Sequence, residues 1–327
     1  MPIHFCGGGG GRHAYLSIAA RCSYLAFPPF YRVLATLLKK RLAPGAAQEP
    51  ADVTVADFDS VAYRVFVAAE AKNWVYVSIA MPCLAELRKY GADMLLEEDY
   101  DGMVCDTSEG YDLTIAFDLD NLSDTPEAII KKVSCLKRNL MGAPLNQSFA
   151  AMANGASGSL SPIQIDYRAA ESLFIVPGAD RVVVVYSVDF ADETDKAIAM
   201  VFLQEFAEAQ RRERSAPPCA FARDPPREVE DMELKDGVLG YVSFAVMPRH
   251  VDSEAKRENV VTLLQGFRAY LHYHIKASKS YLHTRMRARV SALLKVLRRA
   301  HPGSQAEGDG KKKKAKRTWG GKTMKNR

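Results

Sequence analysis

The segment VVTLLQGFRAYLHYHIKASKSYLHTRMRARVSALLKVLRR (260–299) decides how the rest of the chain is read. Val260, Leu264, Phe267, Leu271, Ile275, Leu282, Met286, Val290, Leu293 and Leu297 recur at threes and fours, the spacing of one helix face, interrupted only near Ser278. The pattern predicts one helix from about Ser253 to Arg299, about 70 Å long at about 1.5 Å per residue. That is longer than a domain of this size is wide. Its far end must cover its stripe with another surface, in this chain or in a partner, and a coiled-coil-like helix is the natural candidate. The other face is chemically one-sided. From Arg268 to Pro302 there is no Asp or Glu, but there are nine cations: Arg268, Lys276, Lys279, Arg285, Arg287, Arg289, Lys295, Arg298 and Arg299. A solvated helix normally mixes signs, so this face is expected to meet an anionic surface. Tyr270, Tyr273 and Tyr281 among the cations suit nucleic acid and acidic protein equally, with anionic lipid a lesser alternative.

Working outward, the texture before this helix is strand and helix in alternation. Val53 and Val55, then Val61, Tyr63, Val65 and Val67, then Val75, Val77 and Ile79 alternate with period two. A helical stretch 84–96, interrupted at Gly91, precedes a strand opened by Gly110-Tyr111. A helix follows from about Thr125 to Phe149, with Ile129, Val133, Leu136 and Leu140 on one face. Residues 153–161 read as a linker. Strands resume at 163–167, 172–176 and 181–189, where Val182–Val185 is a β-branched run suited to a central strand. A helix at about 194–212, a Pro-rich charged loop and a strand opened by Gly240-Tyr241 complete the second half.

The two halves repeat one order of elements. This predicts an α/β (α+β) chain of two related α/β sandwich-like domains with mainly antiparallel sheets and a long C-terminal helix. The expected boundaries are 1–51 for an N-terminal extension and first helix, 52–158 and 159–252 for the two domains, 253–302 for the long helix and 303–327 for a basic disordered tail. The first helix should follow Pro28-Pro29, with Tyr31, Leu34, Leu37 and Leu38 on one face, and stop at Pro44-Gly45.

Composition bounds the function. Of 327 residues, 48% are hydrophobic and 25% charged, which excludes wholesale disorder. No apolar run reaches the roughly 18–20 residues of a membrane span. The formal net charge is +5, and the last 25 residues, including KKKKAKR (311–317), hold nine cations and two acids, so the body is close to neutral. Residues 1–48 carry no acid, as in a transit peptide or a flexible extension. The six cysteines form no CxxC and no zinc-ligand spacing with His, and read as reduced, mostly buried thiols.

Enzyme motifs do not hold together. Asp57-Phe58-Asp59-Ser60-Val61 matches the DxDx[TV] pattern of haloacid-dehalogenase-type phosphatases, but that chemistry needs a parallel sheet behind it. An acidic turn between antiparallel strands is the plainer reading, and Asp118-Leu119-Asp120 reads the same way. Gly320-Gly321-Lys322-Thr323 lacks the first glycine of a phosphate loop. His272 and His274 point about 200° apart on a helix and cannot share a metal. No catalytic residue, metal site, cofactor or small-molecule substrate is expected.

VTVADFDSVAY (53–63), LRKYGADMLL (87–96), EGYDLTIAFDLDNL (109–122), VFLQEFAEAQRR (201–212), GYVSFAVMPRH (240–250), FRAYLHYHIKASKSYLHTRMRAR (267–289) and LLKVLRRAHP (293–302) together carry a resemblance. Over about residues 52–302 the chain resembles the family of subunit 2 of the actin-related protein 2/3 complex, the larger of its two scaffold subunits. The resemblance implies two α/β domains of related fold and a long C-terminal helix packed against the long helix of subunit 4. It implies a non-catalytic scaffold, in the cytoplasm and the cortical actin cytoskeleton and cell projections, that binds the side of a mother actin filament during branch nucleation. Arg211, Arg212, Arg285, Arg287, Arg289, Lys295, Arg298 and Arg299 are then the expected filament contacts. Leu271, Ile275, Leu282, Leu293 and Leu297 are expected to face subunit 4 or the parent domain. The competing reading is a nucleic-acid-binding protein acting through the basic helix and tail, which the resemblance disfavours. Residues 1–27, 141–161 and the tail depart from the family's pattern.

Overall fold

The structure, a computed structural model, describes residues 31–43, 49–210 and 216–299. The Gly-rich start, the Pro44-Gly45 stop and the basic tail lie outside the described residues. Residues up to Ile275 form one compact unit, and a second unit begins at Lys276.

Two five-stranded sheets organise the first unit. The first comprises β1 (Ala51–Ala56), β2 (Ala62–Val67), β3 (Trp74–Ala80), β4 (Val104–Cys105) and β5 (Leu113–Asp118), in the order β1-β2-β3-β5-β4. The second comprises β6 (Ile163–Arg168), β7 (Glu171–Pro177), β8 (Val182–Val188), β9 (Cys219–Ala222) and β10 (Gly240–Val246), in the order β6-β7-β8-β10-β9. Every neighbouring pair is antiparallel. The repeat legible in the order of elements is therefore also a repeat of topology, and the fold is the mixed α/β arrangement expected. The strand-forming cause is the period-two spacing of apolar residues. Tyr63, Val65 and Val67 of β2 turn inward while Arg64 and Phe66 turn outward. The run Val182–Val185 supplies β8, a central strand between β7 and β10.

The helices are α1 (Arg32–Arg41), α2 (Leu84–Leu87), α3 (Asp93–Asp99), α4 (Pro126–Ser134), α5 (Leu136–Ala153), α6 (Glu193–Gln210) and α7 (Glu254–Arg299). Gly91 has φ of 95° and kinks the chain between α2 and α3, the interruption expected there. The single helix expected over 125–149 is two helices. Thr125 accepts a capping bond from Ala128 N–H at 3.3 Å, Pro126 occupies the first turn, and the chain breaks at Cys135. The edge strands β4 and β9 fall where loops were expected. They have only two and four residues, too few for a periodic signal.

One apolar core joins the two sheets to α1, α4, α5 and the first half of α7. Val77 and Ile115 of the first sheet and Val184 and Val242 of the second belong to it, together with Leu140, Leu264 and Phe267. Gly142 of α5 faces Val261 of α7. A Cβ there would lie 2.7 Å from Val261 Cγ1 of α7, so any larger residue forces the Val261 side chain or the helices to shift. Gly142→Ala should therefore cost about 1–3 kcal/mol in denaturant unfolding, and less than about 0.5 kcal/mol when added to Val261→Ala. Equal costs in both backgrounds would show that the contact does not set the packing distance.

Candidate functional site

The first half of α7 is held by packing and by charge. Val260, Val261, Leu264, Phe267, Leu271 and Ile275 are buried. The Phe267 ring meets Phe244 at 5.0 Å, Tyr186 at 5.6 Å and Phe206 at 6.0 Å between centroids. Tyr186 Oη donates to the Leu264 carbonyl at 2.8 Å.

Arg268 is the second anchor. It is almost wholly buried, and its Nε and one terminal nitrogen donate to the Glu171 carboxylate at 2.8 and 2.6 Å. The same terminal nitrogen donates to the Asp189 carbonyl at 3.0 Å, and the guanidinium lies 4.5 Å from the centre of the Phe190 ring. Glu171 also accepts from Tyr167 Oη at 3.0 Å and from Asp189 N–H at 2.8 Å. The network continues into the first sheet. Arg168 donates from Nε to Asp59 at 2.6 Å. Lys137 of α5 reaches Asp59 at 2.9 Å, Asp57 at 3.3 Å and the Phe58 carbonyl at 2.8 Å. Asp59 and Ser60 adopt φ of 66° and 59°, the left-handed turn that aims the Asp59 carboxylate at both cations. Three acids, Asp57, Asp59 and Glu171, thus meet three cations, Lys137, Arg168 and Arg268. Burial alone would raise the Asp59 pKa, but Lys137 and Arg168 more than offset it and hold the carboxyl below its usual range.

This geometry answers several sequence readings. The Asp57/Asp59 pair is bound by Lys137 and Arg168 beside an antiparallel sheet, where the phosphatase pattern needs a parallel one. His272 and His274 diverge as expected. His272 lies edge-on to Phe58 at 6.0 Å, and His274 stacks on Phe202 at 5.7 Å. Arg268 does not belong to the exposed basic face, because its partner is Glu171. Leu271 and Ile275 are fully buried in their own unit, so they are not available to a partner subunit. Sequence reasoning missed this joint of three acids and three cations. Its signals were a glutamate opening the otherwise apolar strand ESLFIVP and an arginine four residues after Leu264 on the buried side of α7.

From Lys276 to Arg299 the helix has no buried residue. Leu282, Met286, Val290, Leu293 and Leu297 are each 42–60% exposed, and Tyr281, Leu294 and Val296 are exposed beside them. At about 100° per residue these five fall within an arc of about 80°. Lys295, Arg298 and Arg299 lie on the opposite side, Arg285 and Arg287 on the two flanks, and Arg289 at the stripe's edge. Arg285 also reaches Tyr281 Oη at 3.2 Å. Arg211 and Arg212 lie outside the described residues, just beyond the end of α6. What this helix half offers is apolar area on one side and positive charge on the other, with no acid between them.

The sequence profile described as "Arp2/3 complex, 34 kD subunit p34-Arc" matches residues 77–304, from within β3 to beyond the end of α7. A protein of Schizosaccharomyces pombe named actin-related protein 2/3 complex subunit 2 is 37% identical over 280 residues, 78% of this chain and 88% of that protein. A protein of the same name from Dictyostelium discoideum is 36% identical over 252 residues, 76% of this chain and 84% of that protein.

Two predictions follow from the joint. Arg268→Leu should cost about 3–5 kcal/mol, because Glu171 is left buried and unpaired, and Glu171→Leu added to it should recover most of the loss. For Asp59 the folded pKa is depressed, so its stabilisation is present above the unfolded value of about 3.9 and is lost as pH falls through the folded value. Melting temperature should fall more steeply below about pH 4 in the wild type than in Asp59→Asn. Parallel acid profiles would remove Asp59 from the account.

Proposed function

The chain belongs to the family of the 34 kD subunit p34-Arc, subunit 2 of the Arp2/3 complex, and from that premise we propose that it is a non-catalytic scaffold subunit that binds the side of a mother actin filament during branch nucleation. The observation that carries this reading is the second half of α7, an exposed leucine-rich stripe backed by cations on a helix whose first half is locked into its own core. A single helix with such a stripe gains stability from a second apolar surface. The long helix of subunit 4 is the proposed occupant, over Leu282, Met286, Leu293 and Leu297. Actin is acidic, and Arg285, Arg287, Lys295, Arg298 and Arg299 give its surface a complementary face once the stripe is covered. Arg289 borders the covered stripe, and Arg211 and Arg212 add charge after α6. Residues 52–158 and 159–252 serve as the two sandwich-like halves that present this helix, at the cortex and in cell projections.

Two variants separate the two faces. Arg287, Lys295 and Arg299 changed together to Glu should leave the complex intact and weaken its co-sedimentation with actin filaments at least tenfold, about 1.4 kcal/mol or more. Leu282, Leu293 and Leu297 changed to Asp should abolish recovery of the partner subunits, while residues up to Ile275 keep their fold. Unchanged filament affinity in the first variant, or normal assembly in the second, would overturn the corresponding half of the reading.

A further inference from the structure

The two sheets share one strand order but not one covering. In the second, β7 and β8 are buried on nearly every residue, on both faces. The outer layer there consists of Phe174, Val185 and Tyr241. Val229, Met232, Leu234 and Val238, from the segment linking β9 to β10, pack over it. That link is residues 223–239, seventeen in all. The equivalent link in the first sheet, between β4 and β5, is residues 106–112, only seven. The short link covers the first sheet only near Ser78 and Thr114, which Ser108 bonds and which are buried, and leaves β1 and β2 open, where burial along β2 alternates.

Its outer face is not the polar surface such exposure normally selects. Asp52, Phe66, Tyr76 and Ala116 stand in one row across four strands, and Trp74 stands opposite Asp118. Tyr76 lies 6.2 Å from Phe66 and 6.5 Å from Trp74 between ring centroids. These three aromatics pack against neither apolar core, and Trp74 is 39% exposed. Arg64 sits over Phe66 at 4.8 Å but is paired with Asp52 at 2.7 Å. The unneutralised charge of the face is therefore negative, at Asp118 and Asp120. Hydrogen bonds from the Asn121 side chain, then the Asp120 backbone and Asn73, hold the Asp118 pKa below its usual range, so it stays ionised.

We propose that this face is a second docking surface, for an extended basic segment of another polypeptide. Such a segment would lay apolar side chains over Phe66, Tyr76 and Trp74 and set Lys or Arg against Asp118 and Asp120, where both carboxylate and ring faces attract cations. The second sheet shows a comparable cover in its own chain, a link with one helical turn (Arg227–Val229) that sets apolar residues over the strands at intervals. Nucleic acid and anionic membrane are repelled by the acids. The inference stands apart from the filament-binding role of α7.

The test places the photo-crosslinking residue p-benzoylphenylalanine at Tyr76 in the full-length chain, irradiates it in its own cells, and sequences the joined peptide. The expected result is a contiguous segment carrying Lys or Arg beside apolar residues. Asp118→Lys with Asp120→Lys, the first half-buried and the second exposed, should cut its yield at least about fivefold. The same probe at Trp74 replaces Tyr76 if melting shows that the first variant is misfolded. No crosslink outside the chain, a joined segment that is acidic, an adduct with nucleic acid or lipid, or a yield unmoved by charge reversal would each overturn the proposal.

Discussion

The buried pair of Arg268 with Glu171 is the constraint on which the rest of the molecule depends. A guanidinium this deeply buried is tolerated only against a carboxylate. Glu171 is itself held by Tyr167, Asp189 N–H and the neighbouring Arg168, so it has one position. Apolar stripes alone allow a helix to slide or rotate by a turn at modest cost. One arginine with one seat does not. Through Arg168, Asp59 and Lys137 the same balanced network runs from the second sheet to the β1–β2 turn and α5. Both halves of the repeat and the long helix are thus registered against one another by charges that neutralise in place. The net stability of such a network is small, and its consequence is positional.

That registration divides α7 into two parts with different work. Up to Ile275 its apolar residues complete a core shared by two sheets. From Leu282 onward residues of the same type and spacing are exposed. Spacing cannot distinguish the parts, because a helix face repeats in the same way whether it is covered by its own domain or by another chain. What distinguishes them is the supply of facing surface. Tyr186, Phe206 and Phe244 meet Phe267, while the stripe from Leu282 to Leu297 is covered by nothing among the described residues. A family built into a multisubunit complex has a use for a helix that is half core and half interface.

Much of this was legible in the chain itself. Period-two valines announced β1, β2 and β3, and the continuous run Val182–Val185 announced β8. The repeated order of elements announced a repeated topology, and the threes and fours of 260–297 announced α7. What was not legible was pairing across distance. Glu171 and Arg268 are 97 residues apart, and nothing local in either marks the other. For that reason Arg268 read as one more cation of an exposed face, and for Leu271 and Ile275 the partner and the parent domain could not be told apart. Short edge strands such as β4, defined by hydrogen bonds to β5 and not by their own side chains, escape any periodic reading for the same reason. The break at Cys135 lies inside a continuous apolar periodicity that masks it.

One helix is core to Ile275 and, in the function proposed, interface beyond it. Hydrogen exchange along α7, compared between the free chain and the assembled complex, tests this most directly. Amides of 260–275 should be protected in both states, and amides of 282–297 should exchange rapidly in the free chain and become protected on assembly. Equal protection of 282–297 in both states would contradict it. So would loss of protection at 260–275 in the free chain, since that half would then depend on the partner as well.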